Sequence, residues 1–191
     1  RMSFAPLSAH TCAVTGTAET EATCLVIPEH APDGRLVVAI GDRAFAGMTS
    51  LCAVMLPDSL LSIGRRAFAF CTSLEEIHVG RNSRLSHIGN RAFTGCDRLS
   101  VLRLGHLRNG LVCEANAFAY CSRLRSVVLP QGMTALSEGM FEGCRRLSHV
   151  CLPSTLTTPS GNPFSGCSGV TGGCSGSGSS VTGGSIILPS A

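Results

Sequence analysis

The 191-residue sequence contains no lysine and no tryptophan, and its one tyrosine is Tyr120. Charged residues make up only 14% of the chain and leave a formal net charge of +3, which is too small to indicate nucleic-acid binding by itself. No apolar run reaches the roughly 18 residues that a membrane-spanning helix requires. Hydrophobic residues nevertheless make up 44% of the chain, so we expect it to fold.

Motifs for catalysis or metal binding are also missing. The 11 cysteines include no closely spaced pair of the kind that holds structural zinc. Phosphate-binding loops, dinucleotide-binding glycine motifs and paired carboxylates do not occur either. The sequence therefore predicts no enzyme activity, no cofactor and no metal site.

Phenylalanine is scarce but regularly spaced, and it reveals an internal repeat. Six of the eight recur every 23 to 25 residues, and a cysteine follows five of them three positions later. Further apolar columns keep the same register before and after the phenylalanine. The repeat phenylalanines are Phe45, Phe68, Phe93, Phe118, Phe141 and Phe164. Stacked copies can bury apolar faces that one copy cannot bury alone, so the repeat predicts a solenoid.

Each copy contains the pattern Leu-x-x-Leu-x-Leu, as at Leu99, Leu102 and Leu104. Its alternating end predicts a short strand with one buried face, and successive copies would form a parallel sheet at about 4.8 Å per strand. The segment from Ile63 to Phe68 is expected to turn the chain back. The predicted fold is a leucine-rich repeat solenoid of short parallel strands with little helix, in six rungs of 23–25 residues.

The full pattern, Ile-Gly-x-x-Ala-Phe-x-x-Cys-x-x-Leu-x-x-Val/Ile-x-Leu-Pro, resembles the BspA-like, treponemal-type subclass of leucine-rich repeat proteins. The resemblance covers about residues 36 to 170, and the lead-in with Val14-Thr15-Gly16 is similar to the start of such proteins. It implies a bacterial interaction module, often for adhesion, at the cell surface, secreted or in the periplasm. It implies no enzyme activity. No signal peptide is visible in the sequence.

We expect three segments: a lead-in and cap at 1–35, the repeat array at 36–170, and a Gly/Ser-rich insertion with a displaced last strand at 171–191. The displaced strand would be Ile186-Ile187-Leu188-Pro189. The insertion could interrupt the sheet near that end.

We expect the residues between the buried leucines to form the binding surface, because they point outward from the sheet. The first outward row is Cys24, Ala53, Glu76, Val101, Ser126 and His149, and the second is Val26, Met55, His78, Arg103, Val128 and Cys151. All except Cys24, Ser126 and His149 are candidate ligand-binding residues. The rows are partly apolar, and an exposed apolar patch often marks a binding site. Alternatively, the cap or the Gly/Ser loop covers the patch, or it is ordinary surface.

Arginines recur in two further columns. Arg98, Arg123 and Arg146 lie five positions after the phenylalanine, and we include them among the candidate ligand-binding residues because a stack of like charges favours an anionic partner. Solvation of the arginines is the alternative. Arg43, Arg66 and Arg91 lie two positions before the phenylalanine. For this column we expect solvated side chains paired with Asp42, Asp97 or Glu142.

Other side chains have simpler interpretations. Phe70 and Tyr120 stand where other copies have glycine, and we expect them to cover the adjacent turn, with a role as contact residues as the alternative. The cysteine column is expected to be buried and reduced, which leaves the disulfide state open for Cys12, Cys24, Cys52, Cys151 and Cys174. His149, Cys151 and Ser126 suggest a nucleophile, but no orienting acid accompanies them.

The leading functional prediction is a monomeric, non-catalytic module that binds a protein, a glycan or a hydrophobic ligand through the sheet face, without nucleic acid and without a membrane span. The alternative is a structural or self-assembling protein that pairs through its solenoid ends, which expose apolar rungs unless they are capped.

Overall fold

A computed structural model describes residues 1–159, 161–172, 180–182 and 185–187. Within these ranges the chain is a β-solenoid of about six turns with parallel strands and no helix, which confirms the predicted architecture. The described part of the chain accordingly has no helix that is long and apolar enough to cross a membrane.

The strands are short, and most belong to one of two ladders that run along the solenoid. In chain order they are β1 (Met2–Pro6), β2 (Thr11–Thr17), β3 (Cys24–Val26), β4 (Leu36–Ile40), β5 (Ala53–Leu56), β6 (Ser62–Ile63), β7 (Glu76–Val79), β8 (His87–Ile88), β9 (Val101–Arg103), β10 (Val112–Cys113), β11 (Ser126–Val128), β12 (Ala135–Leu136), β13 (His149–Cys151), β14 (Thr158–Pro159), β15 (Thr171–Gly172), β16 (Ser180–Thr182) and β17 (Ser185–Ile187).

The Leu-x-x-Leu-x-Leu segments form the predicted parallel ladder, which we call the front sheet. Residues of the same column pair with each other, so that Val54 lies between Leu25 and Ile77. The central residue of each strand points into the solenoid, as Val127 and Val150 do, and the residues on either side point outward.

The front sheet consists of two pieces, β3-β5-β7 and β9-β11-β13-β15, and no backbone ladder joins β7 to β9 among the described strands. Side chains bridge this gap instead: the His106 ring lies 3.1 Å from the carbonyl oxygen of Gly80, and Arg98 pairs with Glu75. The extra residues of the 25-residue second copy directly follow β7. At the Gly/Ser end, β15 continues the ladder from β13 as far as Thr171. An interruption by the Gly/Ser insertion stays a prediction, because residues 173–179 lie outside the described ranges.

A second ladder, which we call the back sheet, runs along the Ile-Gly segments that were expected only to turn the chain. It contains β1, β2, β4, β6, β8 and β10 in that order. The two-residue strands leave one side chain outward and one buried, as in His87 and Ile88. Two-residue strands pair here because stacking already places their backbones side by side.

The core is built on the column of phenylalanines. The six rings are fully buried and stacked, with centroids of neighbouring rings 5.1–5.8 Å apart. Their backbones are also joined, since the Phe68 N–H donates to the Ala92 carbonyl at 2.8 Å.

The column cysteines are buried free thiols, as predicted, and each donates to a phenylalanine carbonyl of the preceding copy. The pairs are Cys71 with Phe45, Cys96 with Phe68, Cys121 with Phe93, Cys144 with Phe118 and Cys167 with Phe141, at 3.0–3.3 Å.

The two ends of the solenoid differ from the repeats. At the start, β1 pairs antiparallel with β2, and Met2 and Phe4 pack against the core. At the other end, β17 pairs antiparallel with β16, which pairs antiparallel with β15. The segment at Ile186-Ile187 is therefore not the displaced parallel strand of copy six, because Thr171 already continues the parallel ladder from His149. The segment boundaries 1–35, 36–170 and 171–191 stay predictions.

Replacing Phe93 with alanine should destabilise the solenoid by about 3–5 kcal/mol, because the ring is buried between two others. Phe70→Ala is the matched control, because the Phe70 side chain is exposed. This variant should lower the free energy of unfolding by about 1 kcal/mol or less. Chemical denaturation of the three proteins measures both changes. Equal midpoints for Phe93→Ala and wild type would contradict the stacked core.

Candidate binding surface

The structure places both outward rows on the front sheet in the predicted register, but as two separate groups. Val26 pairs with Met55 and Met55 with His78 in the first piece, whereas Arg103 pairs with Val128 and Val128 with Cys151 in the second. Because no ladder joins β7 to β9 in the described part of the chain, the rows do not form one continuous surface of hydrogen-bonded strands.

The exposed apolar part of this face lies at the beginning of the array. Val26 is 60% exposed and Met55 46% exposed, so the N-terminal segment does not cover them. Val101 is also exposed but belongs to the second piece, while Ala53 and Val128 are half-buried. The Gly/Ser residues 173–179 and 183–184, the other proposed cover, lie outside the described residues.

Beside the apolar pair, the face becomes polar. Glu76 and His78 project from the same strand, and their Oε2 and Nε2 atoms lie 2.7 Å apart. The two predicted contact residues therefore bind each other, and they form a polar border next to Met55.

Arg98, Arg123 and Arg146 line one cavity of about 310 Å³ at the edge of the front sheet, which we call the arginine cavity. The other residues that line it are Glu75, Ser100 and Arg125. Arg98 Nη1 lies 3.0 Å from Glu75 Oε1. Within the described part of the chain, the guanidinium groups of Arg123 and Arg146 have no ion pair.

Sequence reasoning missed Glu75 and Ser100 as cavity residues. They and Arg125 occupy the position directly after the buried leucine, whereas the predicted arginines occupy the position directly before it. Residues on both sides of an inward-pointing leucine point outward on the same side of the solenoid, and this alternation could have identified them.

A second cavity, of about 450 Å³, lies on the back sheet and has mixed charge. Asp42, Arg65, His87 and Glu114 contribute to its lining. The His87 ring lies 3.0 Å from a Glu114 oxygen, and Asp42 accepts the backbone N–H of Arg65. The opposite charges of this cavity are therefore largely balanced.

The other arginine column is strained and unpaired. Arg43, Arg66 and Arg91 have φ angles of 54–56°, in the left-handed region, where Gly139 stands in a later copy. Their guanidinium groups form no ion pair or hydrogen bond with the described residues. The expected partners bond elsewhere, because Asp97 accepts from Ser122, and Glu142 from Asn116 and Tyr120. The predicted pairing with Asp42, Asp97 or Glu142 is therefore wrong.

Phe70 and Tyr120 cover glycines of the following copy, as predicted. A Cβ atom built on Gly95 would lie 2.6 Å from the Phe70 ring, and one on Gly143 would lie 2.5 Å from the Tyr120 ring. Both aromatic residues also have left-handed φ angles near 60°. Their rings therefore have a structural role on the turn side.

The geometry does not assemble the nucleophile that the sequence suggested. Cys151 is disulfide-bonded, so it has no thiolate with which to attack a substrate. The His149 ring contacts Ser148, with Nδ1 2.9 Å from Oγ. Nine other cysteines of the described ranges carry free thiols, and Cys174 lies outside those ranges. No group of three or more potential metal ligands occurs in the part of the chain that the structure covers.

The chain is similar to known repeat proteins over most of its length. A family model described as the BspA type leucine-rich repeat region matches residues 38–171 with six copies. No curated protein matches the chain.

Several crystal structures share this fold. A leucine-rich cell surface protein of Faecalibacterium prausnitzii is 26% identical, with a TM-score of 0.73, and covers 90% of this chain and 52% of its own. The T. pallidum leucine-rich repeat protein is 29% identical, with a TM-score of 0.64, and the match covers 87% of this chain and 86% of that protein. A Bacteroides ovatus leucine-rich repeat protein is 26% identical, with a TM-score of 0.60, and the match covers 90% of this chain and 51% of that protein. The chain thus spans about half of the Faecalibacterium and B. ovatus proteins.

Thiol labelling should separate the surface cysteines from the column cysteines. Burial raises the pKa of Cys71 to about 11 and the pKa values of Cys113 and Cys167 to about 12, whereas Cys24 is exposed. The maleimide-reactive thiolate of Cys71 should therefore be about 100-fold rarer at neutral pH than that of an ordinary thiol. Mass spectrometry after brief labelling should find modified Cys24 and unmodified column cysteines.

Labelling in denaturant provides the control, because unfolding should expose all nine free thiols while Cys151 stays protected until reductant is added. Modification of Cys71 or Cys96 at the rate of Cys24 in the folded protein would contradict the buried column.

Proposed function

Because the chain belongs to the family of BspA-type leucine-rich repeat proteins, we propose that it is a non-catalytic module that binds a protein partner through its front sheet. The family itself suggests a protein-interaction or surface repeat module. The observation that carries the finer proposal is the exposed pair Val26 and Met55, adjacent in register on the outward face.

The chemistry of this patch favours a protein. Protein interfaces combine an apolar centre with a polar border. Val26 and Met55 would provide the centre, and Glu76 and His78 form a border beside them. Both apolar side chains are about half exposed or more, so they lie on open surface, and a partner with a broad surface fits better than a small apolar ligand that needs an enclosing pocket.

We place this function at the cell surface or outside the cell. The Faecalibacterium relative is described as a cell surface protein. The disulfide at Cys151 adds support from this chain itself, since disulfides persist mainly in oxidising compartments.

Self-assembly through the solenoid ends is the alternative. It is supported by β3, at the outer edge of the first piece of the front sheet, and by β17, the outermost strand of the antiparallel extension beyond β15. Among the described strands each of them has one edge without a partner, and such an edge can pair with another chain. Light scattering of the purified protein decides between the two, because a strict monomer at all concentrations contradicts assembly.

The double variant Val26→Asp/Met55→Asp should bind a protein partner at least about tenfold more weakly than wild type, because it places charge at the apolar centre. The matched control is Leu7→Asp/Val112→Asp, which makes the same kind of change at two exposed apolar residues away from the front sheet. Biosensor binding to a panel of purified extracellular proteins measures both variants.

The control should keep its affinity within about twofold. The proposal is contradicted if both variants lose affinity for the partner equally, if only the control loses affinity, or if the wild-type protein binds no protein of the panel.

A further inference from the structure

The arginine cavity concentrates positive charge to an extent that the composition does not suggest. Its lining carries four guanidinium groups and one carboxylate, which gives a net charge of +3. The whole chain has a formal net charge of only +3, so this one site accounts for a charge equal to the total excess.

The charges in the cavity are mostly not neutralised by the protein. Glu75 pairs with Arg98, and Arg123, Arg125 and Arg146 form no ion pair with any described residue. All four arginine side chains are exposed, so they can reach a ligand. Like charges on successive copies repel each other, and a bound anion would remove that repulsion.

The repeat sets the spacing of the charges. Arg98, Arg123 and Arg146 come from three consecutive copies, and the phenylalanine rings of those copies are separated by steps of 5.3 and 5.8 Å. Guanidinium groups bind carboxylate and sulfate oxygens through two parallel N–H donors. The cavity therefore fits a ligand that carries several anionic groups in a row.

We propose that the arginine cavity binds a segment of an acidic polysaccharide through its sulfate or carboxylate groups. Every side chain of the lining is charged or carries a hydroxyl, and none is apolar or aromatic. A protein partner needs apolar side chains at the centre of its interface, and a single-stranded nucleic acid needs aromatic rings for its bases. A sugar chain needs neither, because its hydroxyls can bond to Ser100 and Glu75 while its anionic groups bind the arginines.

The size of the cavity agrees with this ligand. Its volume of about 310 Å³ lies at the small end of the range for ligand sites, roughly 300–1,000 Å³. A short stretch of a longer chain can therefore occupy the cavity while the rest extends over the sheet edge.

This inference rests on the proposed function, since the cavity lies at the edge of the same binding face. The two remain separable, because Val26 and Met55 are not among the residues that line the cavity. The variant Val26→Asp/Met55→Asp should therefore keep its affinity for an acidic sugar even where protein binding is lost.

The test uses isothermal titration of the full chain with a heparin hexasaccharide, which carries sulfate and carboxylate, and with a hyaluronan hexasaccharide, which carries carboxylate alone. Arg123→Asn/Arg146→Asn should bind the preferred sugar at least about tenfold more weakly, because two charge-assisted contacts are removed. Raising the salt concentration above about 0.15 M should weaken wild-type binding.

The matched control is Arg43→Asn/Arg66→Asn, which removes the same charge from the other arginine column. Asn116 already occupies that column with a φ of 58°, so asparagine is compatible with the backbone there. The control should stay within about twofold of wild type.

Three results would overturn the proposal. The first is that neither hexasaccharide binds the wild-type protein at physiological salt. The second is that Arg123→Asn/Arg146→Asn and Arg43→Asn/Arg66→Asn lose affinity for the sugar equally, which would show attraction to net charge alone. Equal or tighter binding of a hexaglutamate peptide would assign the cavity to acidic proteins instead.

Discussion

The stacking of one phenylalanine ring on the next sets the geometry of every other part of the solenoid. The rings are 5.1–5.8 Å apart, close to the spacing of paired strands, so one stack can hold two ladders in register. Stacking also fixes the position of the backbone carbonyl of each phenylalanine. The Phe68 carbonyl oxygen accepts hydrogen bonds from the backbone N–H of Cys71 and from the thiol of Cys96. Both lone pairs of this buried oxygen are thus used, which explains why a cysteine follows the phenylalanine in the column.

This constraint also decides how much could be read from the sequence. The buried columns and the front strands follow from side-chain periodicity, because packing demands the same residue type at the same position in every copy. The back sheet could not be found in this way, since a two-residue strand such as Ser62–Ile63 has no period to detect. The gap between β7 and β9 could not be predicted for another reason: Ile77 and Val79 satisfy the apolar pattern, although among the described strands no ladder joins theirs to the next.

The candidate site could be predicted in part, to the extent that it repeats. Arg98, Arg123 and Arg146 form a column, and the sequence assigned them to one surface. Glu75 and Ser100 share a column whose residue type changes from copy to copy, so repetition did not mark them, and only the outward alternation around the buried leucine could have identified them. The disulfide at Cys151 was left open because pairing depends on where the second sulfur lies in space, which spacing along the chain does not determine.

Repetition also explains why the front face has two chemically different halves. The outward positions are free of the packing constraint, so each group of copies can carry its own chemistry: apolar at Val26 and Met55, basic at Arg123 and Arg146. The positive charge grows along the array because Glu75 balances Arg98 but Ser100 cannot balance Arg123. The missing ladder between β7 and β9 lies between the apolar pair and most of the basic residues, so each half keeps the geometry of its own strands. A partner that covered both halves would need an apolar patch and a row of anionic groups, whereas two separate ligands would need only one feature each.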